Sequence, residues 1–414
     1  MKRILFVDDE INILDGIRRL LHGDRERWDM QFAIGGEAAL RACEAGRFDV
    51  VITDMRMPGM DGATLLGHVR DRYPSTARLI LSGYAEVKLA TRAVAVAYRV
   101  LSKPCGGLEL QATIERVCAL QDIFCTPELR RIIGTIGELP SLSRSYAALA
   151  QAVNDPVASV GSVADIIERD VAMSAKVLQL VNSGFFGLAQ KVTSLQSAVA
   201  YLGMNTIQNL ALASDTFRVF VPDVRIPKNF CEAMQRNSRR VALIARTLPL
   251  DKEVRDVTVM AALLHNVGEL VLASKMPDEF CAVLSLMQER GCAQFQAEEQ
   301  LLGISHAEIG SYLLGLWGIN NLAVEAIAHL HHPTRIPHSG LDSSAALFVA
   351  NLLAHELDAH PNDLHGTELN ESDRACLEAL GVLQLFPAFR ERALETINQD
   401  ANSATQEIGA NRLG

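Results

Sequence analysis

The sequence predicts an α/β domain with a doubly wound, five-stranded parallel sheet, followed by an all-α domain. From Lys2 to about Gln121, short runs of β-branched and aromatic residues alternate with amphipathic helical stretches. This alternation indicates right-handed βαβ units with helices on both faces of a parallel sheet. After Gln121 the strand patterns vanish, and apolar residues recur at helical spacing.

Each predicted strand of the first domain is a short apolar run, and a helical stretch separates it from the next one. The first helical stretch places Ile11, Leu14 and Ile17 on one face. The predicted strands, in chain order, are Ile4–Val7, Met30–Ala33, Val50–Thr53, Arg78–Leu81 and Tyr98–Leu101.

Length and composition agree with two or three globular domains. The chain has 414 residues, of which 49% are hydrophobic and 21% are charged. This composition excludes disorder over most of the length. The formal net charge of -10 argues against a polyanion-binding surface over the whole chain.

Cysteine usage and the N-terminus favour a soluble, cytoplasmic protein. The eight cysteines are scattered and form no Cys-x-x-Cys pair, as expected for free thiols in a reducing cytosol. Asp8 and Asp9 interrupt the first apolar run too early for a signal peptide. No uninterrupted apolar stretch approaches the roughly 20 residues that span a bilayer.

Chemically reactive side chains follow the predicted strands. Asp8 and Asp9 end the first strand, and Asp54, Ser82 and Lys103 end later ones. Because parallel strands end at one edge of the sheet, we expect these residues to lie together. Clustered carboxylates need a cation such as Mg²⁺, and a lysine and a serine can hold phosphoryl oxygens. The pattern therefore predicts phosphoryl transfer to a carboxylate.

These residues lie in segments that resemble those of the response-regulator receiver domain. The segments are Val7–Glu10, Asp54–Gly62, Leu81–Tyr84 and Leu101–Pro104. The resemblance implies that Asp54 is the phosphoacceptor, and that Ser82 and Lys103 contact the phosphoryl group. It also implies a Mg²⁺ site formed by Asp8, Asp9, Asp54 and the backbone carbonyl of Arg56.

The sequence departs from the receiver pattern at one position. Val100 stands where the family has an aromatic switch residue. A rotating aromatic ring coupled to Ser82 is therefore not expected, and the output must use another route.

The remainder of the chain divides into four predicted parts. We expect the first domain to occupy 1–121 and a linker to occupy 122–131. The helical output domain is expected over 132–355, a helical extension over 356–395 and a disordered tail over 396–414.

The helical domain resembles the HDOD family, the HD-related output domain. The segments that carry the resemblance are Leu139–Leu142, Ser174–Gly187, Leu264–Leu270, Ser305–Gly310 and His331–Pro333. The resemblance implies a degenerate HD phosphohydrolase fold that lacks a complete metal site.

The residues at the expected HD positions support this degeneracy. Amides stand where the hydrolases have a histidine or an aspartate, while several histidines remain. The positions are Asn237, His265, Asn266, His306, His331, His332 and Asn351. A dinuclear hydrolytic site needs carboxylates to bridge two dications, and a neutral amide supplies no negative charge. We therefore expect no transition metal in this domain.

The sequence predicts a response regulator of a two-component phosphorelay. A sensor histidine kinase is expected to phosphorylate Asp54, and a non-catalytic HDOD output is expected to signal through an unknown protein effector. Two alternatives stay open: a receiver-regulated metal-dependent phosphohydrolase acting on a cyclic dinucleotide, and a nucleotide-sensing degenerate pocket. No basic recognition helix or helix-turn-helix pattern supports nucleic-acid binding. Receivers often dimerise when phosphorylated, but no heptad pattern here requires a homodimer.

Overall fold

A computed structural model gives the fold of the chain. It describes residues 1–83, 92–93, 96–123, 140–141, 148–149, 151–152, 158–183, 188, 191–204, 206–207, 218–219, 223–338, 340–359 and 369–410. Most of the predicted linker, and Tyr84 of the third receiver-like segment, lie outside the described residues.

The N-terminal domain is a five-stranded parallel sheet with helices between the strands, as predicted. The strands are β1 (Lys2–Asp8), β2 (Trp28–Ile34), β3 (Val50–Asp54), β4 (Ala77–Ser82) and β5 (Arg99–Ser102). The helices are α1 (Ile11–Leu20), α2 (Gly36–Ala45), α3 (Gly62–Arg72) and α4 (Gly107–Ile123). The strand order is β2-β1-β3-β4-β5, so the carboxyl ends of β1 and β3 are neighbours.

The central strands are buried, and β5 is an edge strand. All residues of β3 and β4 are buried, which explains their nearly continuous apolar sequence. In β5, Val100 and Leu101 are buried while Arg99 and Ser102 are half-buried. Arg99 is therefore available for contacts beyond the sheet.

The second domain is largely helical. Its helices from 160 to 290 are α5 (Val160–Glu168), α6 (Val171–Val181), α7 (Leu195–Leu202), α8 (Phe230–Thr247), α9 (Lys252–Leu264), α10 (Val267–Lys275) and α11 (Pro277–Arg290). Those from 294 to 359 are α12 (Gln294–Leu302), α13 (His306–Leu316), α14 (Asn321–Ala328) and α15 (Ser343–Ala359). Two further helices follow, α16 (Glu371–Ala379) and α17 (Phe386–Ala410).

One short parallel pair of strands departs from the all-helical prediction. β6 (Pro140–Ser141) pairs with β7 (Arg218–Val219). Strands of this length carry no alternation of apolar and polar residues, so sequence periodicity does not reveal them.

Helices α10 and α13 approach each other closely where glycines face. A Cβ atom built on Gly268 would lie 1.9 Å from the backbone oxygen of His306 and 2.9 Å from the backbone nitrogen of Gly310. Only glycine permits this approach. The contact fixes the start of α13 beside the segment that carries His265 and Asn266.

One stretch, Lys252–Lys275, has the length and apolar composition of a membrane span. In the structure it is two helices, α9 and α10, which break at His265 and Asn266. Of its most apolar window, 83% is buried inside the protein. This burial is typical of core helices.

The C-terminal helix differs from the predicted disordered tail. α17 continues past residue 396 to Ala410. Phe389 and Ala393 are buried, and Ile397 packs against the same core. These residues recur every fourth position, so they form one apolar face that supports the longer helix.

Candidate functional site

The carboxyl edge of the N-terminal sheet brings the predicted acidic residues together. Asp8 and Asp54 end neighbouring strands, and their exposed fractions are 2% and 8%. Asp9 follows Asp8 and is half-buried. Ser82, which is 5% exposed, ends β4 on the other side of Asp54.

Lys103 bridges the two buried carboxylates. Its Nζ atom donates to Oδ2 of Asp8 at 2.9 Å and forms an ion pair with Oδ1 of Asp54. Burial of the ammonium opposes protonation, but the hydrogen bonds to Asp54 and Asp8 outweigh it and raise the pKa of Lys103.

Backbone groups orient the same carboxylates. The N–H of Arg56 donates to Oδ2 of Asp54 at 2.6 Å, and the N–H of Glu10 donates to Oδ1 of Asp8 at 3.0 Å. Gly62 packs against the backbone of Asp54, and a Cβ built on Gly62 would lie 2.1 Å from the backbone oxygen of Asp54. Asp54 is therefore held in place by its surroundings.

A second polar cluster lies in the helical domain, between α8 and the break after α9. Nδ1 of His265 faces the backbone oxygen of Ala262 at 2.7 Å, and its Nε2 faces the amide of Asn237 at 3.2 Å. Burial lowers the pKa of His265 to about 3. The neutral ring donates from Nδ1, so its Nε2 carries no proton to donate to the Asn237 oxygen that it faces.

Asn266 completes this first cluster. Its Nδ2 donates to Oδ1 of Asn237 at 3.1 Å and to Oγ of Ser238 at 3.2 Å. Asn266 is 4% exposed. The side-chain amide of Asn266 is therefore tied to helix α8 through Asn237 and Ser238.

His306, the first residue of α13, is held by a buried carboxylate. Oε2 of Glu298 accepts from both the backbone N–H and Nδ1 of His306, each at 2.7 Å. Glu298 is fully buried. Burial opposes the charge on His306, but Glu298 and Glu269 outweigh it and raise the pKa of His306 to about 9.

The other ring nitrogen of His306 faces His331. The two Nε2 atoms are 3.3 Å apart, and the ring of His331 stacks on Phe295 with a centroid separation of 4.3 Å. Burial holds the pKa of His331 well below its usual range. The His306 imidazolium therefore donates to a neutral His331.

Glu269 lies beside the ion pair of His306 and Glu298. Its Oε1 is 3.8 Å from Nε2 of His306. Burial raises the pKa of Glu269 to about 7, against the opposing effect of His306. The negative charge beside His306 thus comes mainly from Glu298 near neutral pH.

The two remaining predicted residues stand apart. Nε2 of His332 pairs with Oε1 of Glu299 at 2.7 Å. Asn351 lies on α15, and its buried Oδ1 has no hydrogen-bond partner among the described residues. Within the described part of the chain, no three His, Cys, Asp or Glu side chains are arranged to hold a metal ion.

Comparison with known proteins identifies both domains. The model of the response regulator receiver domain matches residues 4–115, and the model of the HDOD domain matches residues 139–333. The chain joins a receiver domain to an HDOD domain. This combination is that of a response regulator of a two-component system. Receiver domains in general bind Mg²⁺ and take their phosphoryl group from a histidine kinase.

The relatives agree with this division. An uncharacterized protein of Treponema pallidum (strain Nichols) is 23% identical over 255 residues, which cover 61% of this chain and 50% of that protein. The transcriptional regulatory protein ZraR of Escherichia coli (strain K12) is 34% identical over 153 residues, which cover 36% and 34%. The chain thus spans half or less of these curated relatives.

Two solved structures are similar to parts of the chain. A virulence factor from Campylobacter jejuni is 20% identical, and the match covers 66% of this chain and 100% of that one with a TM-score of 0.50. A receiver domain of an HD domain-containing protein from Pseudomonas fluorescens is 33% identical over 30% of this chain and 98% of that one, with a TM-score of 0.29.

Sequence reasoning missed Glu298, the carboxylate that holds His306 in the HDOD domain. It also missed Phe295, on which His331 stacks, and Ser238, which binds Asn266. Glu298 and its neighbour Glu299 lie in a polar helix, and nothing in the sequence marks one of them as buried, since its exposure depends on how α12 packs.

Proposed function

We propose that this chain is a cytoplasmic response regulator that a sensor histidine kinase phosphorylates on Asp54. The HDOD domain acts as a non-catalytic output that binds a protein effector. The observation that carries the proposal is the bridge from Lys103 to the buried carboxylates of Asp8 and Asp54. An ammonium held there is placed to neutralise an incoming phosphoryl group.

The different surroundings of the two oxygens of Asp54 support distinct tasks for them. Oδ2 is held by the N–H of Arg56, while Oδ1 faces Lys103. Oδ1 would attack the phosphorus of the phosphohistidine, the P–N bond would break, and its electron pair would stay on the imidazole nitrogen. The product is an acyl phosphate whose oxygens Lys103 and Ser82 would contact.

The acidic edge offers the donor type that Mg²⁺ prefers, although its three carboxylates do not already stand as ligands of one ion. Carboxylates of Asp8, Asp9 and Asp54 and the carbonyl of Arg56 would hold the ion. They are hard oxygen donors, and Mg²⁺ binds to few such groups while keeping several waters. When bound, the ion neutralises negative charge on phosphoryl oxygens.

Phosphotransfer tests the receiver part of the proposal. The full chain is incubated with acetyl phosphate and Mg²⁺, and covalent phosphate is measured by intact mass. We expect labelling of the wild type, none of the Asp54→Asn variant, and wild-type labelling of Asp15→Asn. Asp15 is a matched control because it is an exposed carboxylate paired with Arg18. Equal labelling of Asp54→Asn and wild type would refute the assignment.

Two features of the pocket support a non-catalytic HDOD domain. Asn266 donates to Asn237, and by the resemblance these neutral amides stand where HD hydrolases have an aspartate and a histidine, respectively. In addition, the imidazolium of His306 supplies positive charge between Glu298 and His331, where a hydrolase would have a metal ion. A charge of this kind opposes binding of a dication at the same place.

A metal-dependent phosphohydrolase is the second candidate. The separation of 3.3 Å between Nε2 of His306 and Nε2 of His331 favours it, because two ligands of one metal ion also bring their nitrogens close together. Loss of the His306 proton would let both rings face one ion, with Glu269 beside them.

Elemental analysis separates the two candidates. The chain is purified without chelator, and iron, manganese and zinc are measured in wild type, His331→Gln and His22→Gln, the last being an exposed histidine. Stoichiometric metal that only His331→Gln loses, with hydrolysis of a cyclic dinucleotide, would establish the hydrolase. Wild type without bound metal, also after incubation with Mn²⁺, supports the non-catalytic output.

A further inference from the structure

The receiver contacts the HDOD domain at the C-terminal end of α13. A Cβ built on Gly318, just beyond that end, would lie 3.5 Å from Nε and 3.7 Å from Cδ of Arg99. Arg99 opens β5, and helix α4 of the receiver also packs against α13. The edge strand and the last helix of the receiver therefore share one docking point.

The end of α13 is built to receive a cation. Gly318 has φ +74°. Its N–H donates to the oxygen of Gly315, and the N–H of Ile319 donates to the oxygen of Leu314, each at 3.1 Å. This glycine-terminated turn leaves no side chain between Arg99 and the backbone. A guanidinium there also meets the negative end of the helix dipole.

Helix α13 connects this docking point to the HDOD pocket. Its other end is His306, which Glu298 holds through two hydrogen bonds. Midway, Gly310 packs on Gly268 at backbone distance. A straight helix of this length spans about 16 Å. A shift at Gly318 therefore displaces His306 rather than being absorbed within the helix.

The interface brings three cations together beside one carboxylate, Glu109 of α4. Arg99 repels Arg116 of α4, and both arginines repel Lys191 of the HDOD domain. Glu109 attracts Arg99 and Lys191, but none of the three cations forms an ion pair with the described residues. Burial and the repulsion from the two arginines lower the pKa of Lys191 to about 8, against the opposing effect of Glu109. Burial and the positive charge of Arg99 lower the pKa of Arg116 to about 10.

We propose that the contact of Arg99 with the Gly318 end of α13 carries the phosphorylation state of the receiver to the pocket around His306. This inference rests on the proposed phosphorylation of Asp54. Arg99 shares its strand with Val100, which replaces the aromatic switch residue, and Lys103 follows that strand directly. When Lys103 turns to a phosphoryl group, β5 shifts, and the repulsion among the cations releases the contact.

Trp317 reports on the contact. It is one of two tryptophans, it adjoins Gly318, and it is 4% exposed. In the full chain with Trp28→Phe, emission and acrylamide quenching of Trp317 are measured with Mg²⁺ before and after beryllofluoride, an analogue of the phosphoryl group. Wild type is measured beside it. We expect a red shift and an increase in quenching of about twofold.

Two substitutions and one independent measurement make the result decisive. Arg99→Ala should show the released emission before beryllofluoride is added, and Arg41→Ala, an exposed receiver arginine, should respond like the wild type. Fluorine NMR of the same samples reports bound beryllofluoride. No bound signal overturns both proposals. A bound signal with unchanged Trp317, or an Arg99→Ala variant that responds normally, overturns the coupling alone.

Discussion

Replacing Gly268 by alanine tests the close packing that positions His306. The added Cβ would lie 1.9 Å from the backbone oxygen of His306 and 2.7 Å from its carbonyl carbon. A backbone atom cannot rotate away as a flexible side chain can. Helices α10 and α13 must therefore separate, and the pocket between them must change shape.

The magnitude follows from two opposing effects. Overpacking a well-packed interior costs about 1–3 kcal/mol, and the rigid obstacle places Gly268→Ala at the upper end of that range. Alanine regains about 1 kcal/mol of helix propensity relative to glycine. We expect the free energy of unfolding of the HDOD domain to fall by about 2 kcal/mol.

Urea unfolding measures this change. Tryptophan emission and far-UV circular dichroism are fitted separately, because a two-domain chain need not unfold in one transition. Gly161→Ala is the matched control, since its nearest contact would be Oγ of Ser159 at 3.7 Å. It should leave stability unchanged or raise it. If Gly268→Ala is as stable as Gly161→Ala, the packing argument is refuted.

Three further predictions follow from the two sites. The raised pKa of His306, about 9 against 6.5 unfolded, stabilises the fold below pH 6.5, and this contribution of about 3 kcal/mol is lost as pH rises to 9. His306→Gln should flatten the urea-midpoint profile between those pH values. The raised pKa of Glu269 acts in the same direction, because its contribution is lost as pH rises from 4.5 to about 7. Glu298→Gln should cost about 3 kcal/mol of stability, because it leaves the buried imidazolium unpaired, and nuclear magnetic resonance should show a lower pKa for His306; an unchanged pKa would refute the pairing. Gly62→Ala should slow acetyl phosphate labelling, because its Cβ would meet the Asp54 carbonyl at 2.1 Å, and labelling at the wild-type rate would contradict the proposed constraint.

Much of the receiver fold was predictable because β-branched runs and strand-end residues report directly on a parallel sheet. Val50–Thr53 was predicted and Val50–Asp54 is observed. The convergence of Asp8, Asp54 and Lys103 follows from strand order alone. Their hydrogen bonds do not, since these depend on side-chain conformations that the sequence pattern does not contain.

The HDOD pocket was less predictable because its partners come from distant helices. The sequence located His265, His306 and His331, but not that His306 would pair with Glu298. That pairing arises when α12 folds against the start of α13, a tertiary event without a local signal. The same limit explains β6 and β7, whose pairing joins segments far apart in the chain.

The ion pair between Arg390 and Glu356 has a consequence for what counts as a domain. Nε of Arg390 donates to Oε1 of Glu356 at 2.7 Å, and both side chains are 8% exposed. It ties α17 to α15, and both helices pack on α8, although the family match stops at residue 333. The region that matches the family is thus shorter than the set of helices that pack together. A fragment that ends at residue 333 would expose the apolar face of α8. A fragment that ends before α17 would leave the buried carboxylate of Glu356 without the cation of Arg390.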